Sequence, residues 1–146
     1  PVGKFDLAGS FNGSSSVIDV DSFVSTSVFA ISFWLKAPVP VNWNSLIQSP
    51  NTDINSNQIN TLFGHIGYFP DGGYGSGYVY VDSSIINVQD DNWHHIVLTC
   101  GGTYATTQIY IDGISRTLTG NGTLMQLRGT LNIGQRTDGE FSCAVR

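Results

Sequence analysis

Over residues 92–118 the chain reads Asn-Trp-His-His-Ile-Val-Leu-Thr-Cys, a Gly-rich corner, then Gln-Ile-Tyr-Ile-Asp-Gly-Ile-Ser-Arg-Thr-Leu. Side chains of an extended segment alternate between two faces. Ile96, Leu98 and Cys100 therefore share one face, and Trp93, His95, Val97 and Thr99 share the other. Asp112-Gly113 then separates two apolar alternating runs. A two-residue type I′ turn needs positive φ at both central positions, and Asp followed by Gly supplies it. The stretch predicts a β-hairpin with a fixed register, around which the remaining strands assemble.

The same period-2 pattern recurs upstream. Phe29, Ile31, Phe33 and Leu35 lie on one face, expected to be core, with Ala30, Ser32, Trp34 and Lys36 opposite. Pro38 and Pro40 end the run, because proline cannot donate to a ladder. Shorter strands are predicted at residues 4–7, 17–20, 45–48, 61–68, 78–81, 85–88 and 130–133, and another begins at Phe141. Asn12-Gly13, the glycine-rich run 71–77 and Asn121-Gly122 read as turns. Residues 42–60 form a long amide- and serine-rich connection around one short strand, and connections of this length often carry function. Helix builders are scarce: the chain has one glutamate, two lysines and one methionine. Ten to twelve short strands without a helix predict an all-β fold, a two-sheet antiparallel β-sandwich forming one domain over residues 1–146.

Charge excludes some functions. The net charge is −5 and the six Lys and Arg residues are scattered, which is no footprint for nucleic acid. No apolar run approaches the ~18 residues of a membrane span. The chain opens at Pro1 rather than Met, as a processed product, an excised domain or a fragment does, so the N-terminus does not report localisation. Cys100 and Cys143 are either two small buried thiols or a disulfide, which would contribute about 4 kcal/mol in the chain-entropy model. Asn12-Gly13-Ser14 and Asn121-Gly122-Thr123 are glycosylation sequons, though turns call for Asn-Gly in any case.

Catalytic chemistry finds little support. No G-x-S-x-G elbow is present, and no histidine lies in the last third of the chain. His94 and His95 are adjacent, so on a strand they point to opposite faces and do not chelate one ion. The Gly-rich run 71–77 has no lysine and opens no helix, unlike a phosphate loop. Calcium takes oxygen ligands from loops, and Asp21, Asp71, Asp90, Asp91 and Asp138 all fall in predicted turns. Asp90 and Asp91 are the best local pair for Ca2+. Glycan binding needs exposed aromatic rings beside amides and acids. Trp43, outside every alternating run, is the first candidate, followed by Tyr68, Tyr74 and Tyr78 around the glycine loop. Trp34 and Trp93 lie inside strands and read as structural.

Five segments in order resemble the laminin-G-like, concanavalin A-like jelly-roll domains. They are Phe11-Asn12-Gly13-Ser14-Ser15-Ser16-Val17-Ile18-Asp19-Val20, Phe29-Ala30-Ile31-Ser32-Phe33-Trp34-Leu35-Lys36, Asp91-Asn92-Trp93-His94-His95-Ile96-Val97-Leu98-Thr99, Ile109-Tyr110-Ile111-Asp112-Gly113 and Leu131-Asn132-Ile133-Gly134. The resemblance implies glycan or protein ligands, sometimes bound through calcium, on secreted, cell-surface or phage structural proteins. Some members of that superfamily are glucanases, whose acids Glu, Asp and Glu alternate along one strand. Here only Asp138 and Glu140 have that spacing, and Glu140 is the single glutamate, so retaining hydrolysis with its two close carboxyls is not expected. The resemblance also implies a last strand running some ten residues past Phe141. Residues 141–146 start that strand and stop, so its remainder is expected in sequence beyond Arg146 or from a neighbouring chain. The expectation is a non-catalytic recognition or adhesion module at a cell or virion surface or elsewhere outside the cell, binding a glycan through its loops. The alternative is a structural decoration domain contacting neighbouring protein copies.

Overall fold

The structure, a computed structural model, describes residues 9–11, 15–37, 44–49, 57–69, 78–121 and 127–134. Their strands in chain order are β1 (Ile18–Thr26), β2 (Val28–Lys36), β3 (Asn44–Ser49), β4 (Asn57–Leu62), β5 (His65–Phe69) and β6 (Val79–Val81). Then follow β7 (Trp93–Gly101), β8 (Gln108–Ile111), β9 (Ile114–Arg116), β10 (Thr119–Gly120) and β11 (Leu127–Ile133). The helical content of the described residues is one 3-10 turn, Tyr104–Thr106. Seven strands form one antiparallel sheet in the order β1-β11-β3-β4-β5-β6-β10, and four form the other as β2-β7-β8-β9. The all-β, two-sheet expectation is met.

Matched alternation fixes how the strands pair. β2 and β7 run antiparallel with Phe29 opposite Cys100, Ile31 opposite Leu98, Phe33 opposite Ile96 and Leu35 opposite His94. The first three pairs put apolar groups on the core side, Leu35 shares that side with His94, and a one-residue slip would turn every one of them outward. Ile96, Leu98, Ile109 and Ile111 of the four-stranded sheet share a core with Ile59, Ile66, Tyr68, Val79 and Val81 of the seven-stranded sheet, all at most 1% exposed. Burial of each aliphatic side chain there contributes about 1.5–3 kcal/mol. Phe29, Ile31 and Phe33 are half-buried against this core.

The Asp112-Gly113 turn forms as expected, with φ of 56° and 79° and Ile111 paired to Ile114 across it. A Cβ at Gly113 would meet nothing within 4 Å, so alanine there tests backbone conformation alone. Gly113→Ala is expected to cost about 1 kcal/mol, which lowers the melting temperature by about 2–4 °C in a circular-dichroism melt.

Two readings are corrected. The single strand expected over residues 61–68 is two strands, β4 and β5, joined at Phe63-Gly64 with φ of 48° and 85°. The buried Gln89 side chain accepts the Gly64 N–H at 2.6 Å and so supports the turn. The strand expected at residues 85–88 is a turn instead, because the Ile85 and Ile86 N–H groups both donate to the Asp82 carbonyl (2.9 and 3.3 Å). For Cys100 the first of the two alternatives holds: it is a buried free thiol, 3% exposed, accepting the Gly102 N–H at 3.3 Å. Residues 4–7, Cys143 and the segment from Phe141 lie outside the described residues.

Candidate functional site

The outer face of the seven-stranded sheet carries an aromatic ridge. Val79 and Val81 are buried, so alternation turns Tyr80 outward. Tyr78 precedes it by two, and the two rings stand 5.2 Å apart. On β5 the buried Ile66 and Tyr68 leave His65 and Gly67 on the outside. Gly67 lies directly opposite Tyr80. A Cβ at Gly67 would meet the Tyr80 Cβ at 2.5 Å and the Val79 carbonyl at 2.6 Å, so this position requires glycine. Across that bare position the Tyr80 ring reaches His65 with centroids 4.9 Å apart. All three rings are half-buried: each is held in place and keeps part of its surface in solvent.

Polar groups frame the ridge. His65 Nδ1 accepts the Ser83 N–H at 2.7 Å, which places the ring proton on Nε2 in the neutral tautomer. Asp82 follows Tyr80 by two residues, and its Oδ1 accepts the Ser84 N–H at 2.8 Å. That bond, with a second from the Ser84 side chain, holds the Asp82 carboxyl below the usual carboxylate range, and His65 adds to the effect. Burial pushes the Tyr80 phenol up, helped by Tyr78 and the Asp82 charge, so it stays a neutral O–H. Lys36 and Arg116, the two basic side chains described, both belong to the four-stranded sheet.

A second cluster closes one end of the core. His94 continues the buried face of β7 and is 7% exposed. Its Nδ1 lies 2.8 Å from Asp112 Oδ2 and its Nε2 3.0 Å from Asp90 Oδ1. Ionised carboxylates only accept, so both contacts are hydrogen bonds when the ring is an imidazolium. Burial alone would push His94 down, but the bonds and charges of Asp112 and Asp90 outweigh it and the pKa is raised. Asp112 also takes the His95 N–H on Oδ1 (2.9 Å) and gives its own N–H to the His95 carbonyl (2.9 Å). The turn residue thereby ties the β8–β9 hairpin to the start of β7. While the ring is an imidazolium both nitrogens donate, and His94 then has no lone pair with which to act as a general base.

The expected site residues that are described do not form one site. Tyr68 is a correction: it is fully buried against Phe29 (ring centroids 6.1 Å apart) and offers no face to a ligand, because its alternation partner Ile66 fixes it inward. Tyr78 joins the ridge described above, whereas Trp43 and Tyr74 lie outside the described residues. Asp90 and Asp91 serve different partners. The Asp90 oxygens accept from Asn92 and His94, while Asp91 faces Lys36 at 3.7 Å. Among the described residues no three His, Cys, Asp or Glu side chains gather as a metal site. Trp34 packs outward on the four-stranded sheet, its ring 4.9 Å from that of His95, whose Nε2 is bonded to Ser32 Oγ at 2.9 Å. Sequence reasoning missed the part played by Tyr80 and His65. The signal was Tyr78, Tyr80 and Asp82 at alternate positions.

Several solved structures share this fold. A native heptameric SAP-like pentraxin from Limulus polyphemus superposes with a TM-score of 0.64 at 17% identity, covering 93% of this chain and 70% of that one. Domains LG4-5 of the mouse laminin alpha1 chain give 0.59 at 13% identity, covering 94% of this chain and 39% of that one. The binding domain of Botulinum neurotoxin serotype D gives 0.59 at 17% identity, covering 86% and 33%. A search of curated protein sequences gave no match. In the described residues no helix is long and apolar enough to cross a membrane. A laminin G family model matches residues 11–144, and the chain belongs to the concanavalin A-like lectin/glucanases superfamily.

Proposed function

We propose that the chain is a non-catalytic recognition module acting outside the cell and binding a glycan. One observation carries the reading: the Tyr78–Tyr80–His65 ridge, three half-exposed rings in a row with centroid spacings of 5.2 and 4.9 Å. Rings fixed side by side at low conformational cost suit stacking on the C–H face of a pyranose. The hydroxyl rim of the sugar then meets the phenols, the imidazole N–H and the Asp82 carboxylate. On this reading binding lies on the sheet face rather than in the loops alone. The family supports a binding role, and the engagement of His94 by two acids in a structural clamp supports a non-catalytic one.

A glycan array probed with the wild-type chain and with Tyr80→Ala tests the proposal. Specific hits are expected with the wild type. The alanine variant, at unchanged melting temperature, is expected to lose about tenfold or more in affinity. Blank arrays together with concentration-dependent assembly would favour the structural decoration domain instead.

A further inference from the structure

Building on the reading of the Tyr78–Tyr80–His65 ridge as a saccharide platform, we infer that it takes uncharged hexopyranose units and turns away acidic ones, with the Asp82 carboxylate as the discriminating group. Tyr78, Tyr80 and Asp82 occupy alternate positions, so the carboxylate stands at the end of the row of rings, on the same outer face. The turn that follows holds it there: Ser84 N–H donates to Asp82 Oδ1 at 2.8 Å, and the neighbouring Ser83 N–H donates to His65 Nδ1 at 2.7 Å. One short segment therefore positions both the acceptor and the ring at the far end of the ridge.

An ionised carboxylate accepts hydrogen bonds and donates none. A neutral sugar brings hydroxyl donors to it, and charge-assisted bonds of this kind are the strong ones. A sulfate or sugar carboxylate brings no proton at neutral pH and meets a like charge. Among the described side chains no cation stands on this sheet: Lys36 and Arg116 sit on the other one, and Arg116 Nη2 donates to the Ile111 carbonyl at 3.3 Å. The Tyr80 phenol stays protonated and the His65 imidazole, accepting on Nδ1, presents Nε2–H. The ridge thus offers donors and one strong acceptor, which matches vicinal hydroxyls.

The test titrates wild type, Asp82→Asn and Tyr80→Ala with one oligosaccharide selected on the array, in its neutral form and in a sulfated form. For wild type the sulfated form is expected to bind about tenfold more weakly. Asp82→Asn keeps an oxygen acceptor for Ser84 N–H but removes the charge, and it is expected to narrow that ratio to about threefold or less. Tyr80→Ala is expected to weaken the neutral form about tenfold. Equal or tighter binding of the sulfated form by wild type, or a ratio unchanged in Asp82→Asn, overturns the inference while the platform stands on the Tyr80→Ala result. Binding that survives Tyr80→Ala, or that is lost on Trp34→Ala instead, overturns platform and inference together, as does the absence of any glycan hit.

Discussion

His94→Ala is expected to destabilise the fold by about 3 kcal/mol, a fall of about 10 °C in melting temperature for a chain of this length. The ring is 7% exposed and makes two charge-assisted hydrogen bonds, at 2.8 Å to Asp112 and 3.0 Å to Asp90. Removing it deletes both bonds and leaves two carboxylates facing a cavity. Their side chains are 34% and 38% exposed, so water recovers part of the loss and the effect falls at the low end of that for a broken buried ion pair. Asp112 retains its bonds to the His95 backbone, so the β8–β9 turn itself is expected to survive.

The cluster also gives the stability a defined pH profile. The folded His94 pKa is raised above its unfolded value, so its contribution is complete below roughly pH 6.5 and is lost as pH climbs through the folded pKa. Asp90 and Asp112 are shifted the other way: burial pushes each up, but hydrogen bonds from Asn92 and His94 to Asp90, and from His94 and the His95 N–H to Asp112, prevail. Their contribution is present above roughly pH 4 and is lost as pH falls through the folded values. The gap in melting temperature between wild type and His94→Gln is therefore expected to be widest near pH 5, closing toward both pH 3 and pH 9. A gap independent of pH would mean that His94 acts by packing alone.

The hairpin, the core face of β2 and the Asp112-Gly113 turn were legible in the sequence because each follows from local periodicity or from one residue's φ preference. The Phe63-Gly64 turn was hidden, since phenylalanine at φ 48° runs against its own preference, and the turn is held through the Gly64 N–H by the buried Gln89 amide oxygen, a contact between residues 25 apart. The run at residues 85–88 has strand composition but is bent by the Asp82 carbonyl into a turn, with Val88 folded into the core. The His94 clamp was invisible for a related reason. His94 and Asp112 come together only when the β7–β8 register pairs Ile96 with Ile111, and adjacent histidines on a strand give no sign of an acid pair. The ridge is half visible in the sequence: Tyr78 stands beside the glycine loop, while the position of His65 depends on Gly67 lying across from Tyr80.

Tyr68→Ala separates core from ligand surface, and the expected loss is about 4 kcal/mol, or roughly 8–16 °C in melting temperature. Tyr68 is 0% exposed, tilted against Phe29 of the opposite sheet at 6.1 Å, and paired across the ladders with Ile59 and Val79, both fully buried. Alanine there opens a cavity where the two sheets meet, and neighbours held in strands on three sides relax little into it. Tyr80 lies on the neighbouring strand but faces the other way, so its alanine variant leaves the core filled and is expected to keep the wild-type melting temperature within about 2 °C. The two substitutions therefore have opposite signatures: Tyr68→Ala lowers stability, and at a temperature where the variant remains folded its glycan affinity is wild-type. Tyr80→Ala keeps stability and loses affinity. A Tyr68→Ala chain that melts like wild type would place this ring outside the core, and with it the facing of β5 on which the ridge depends.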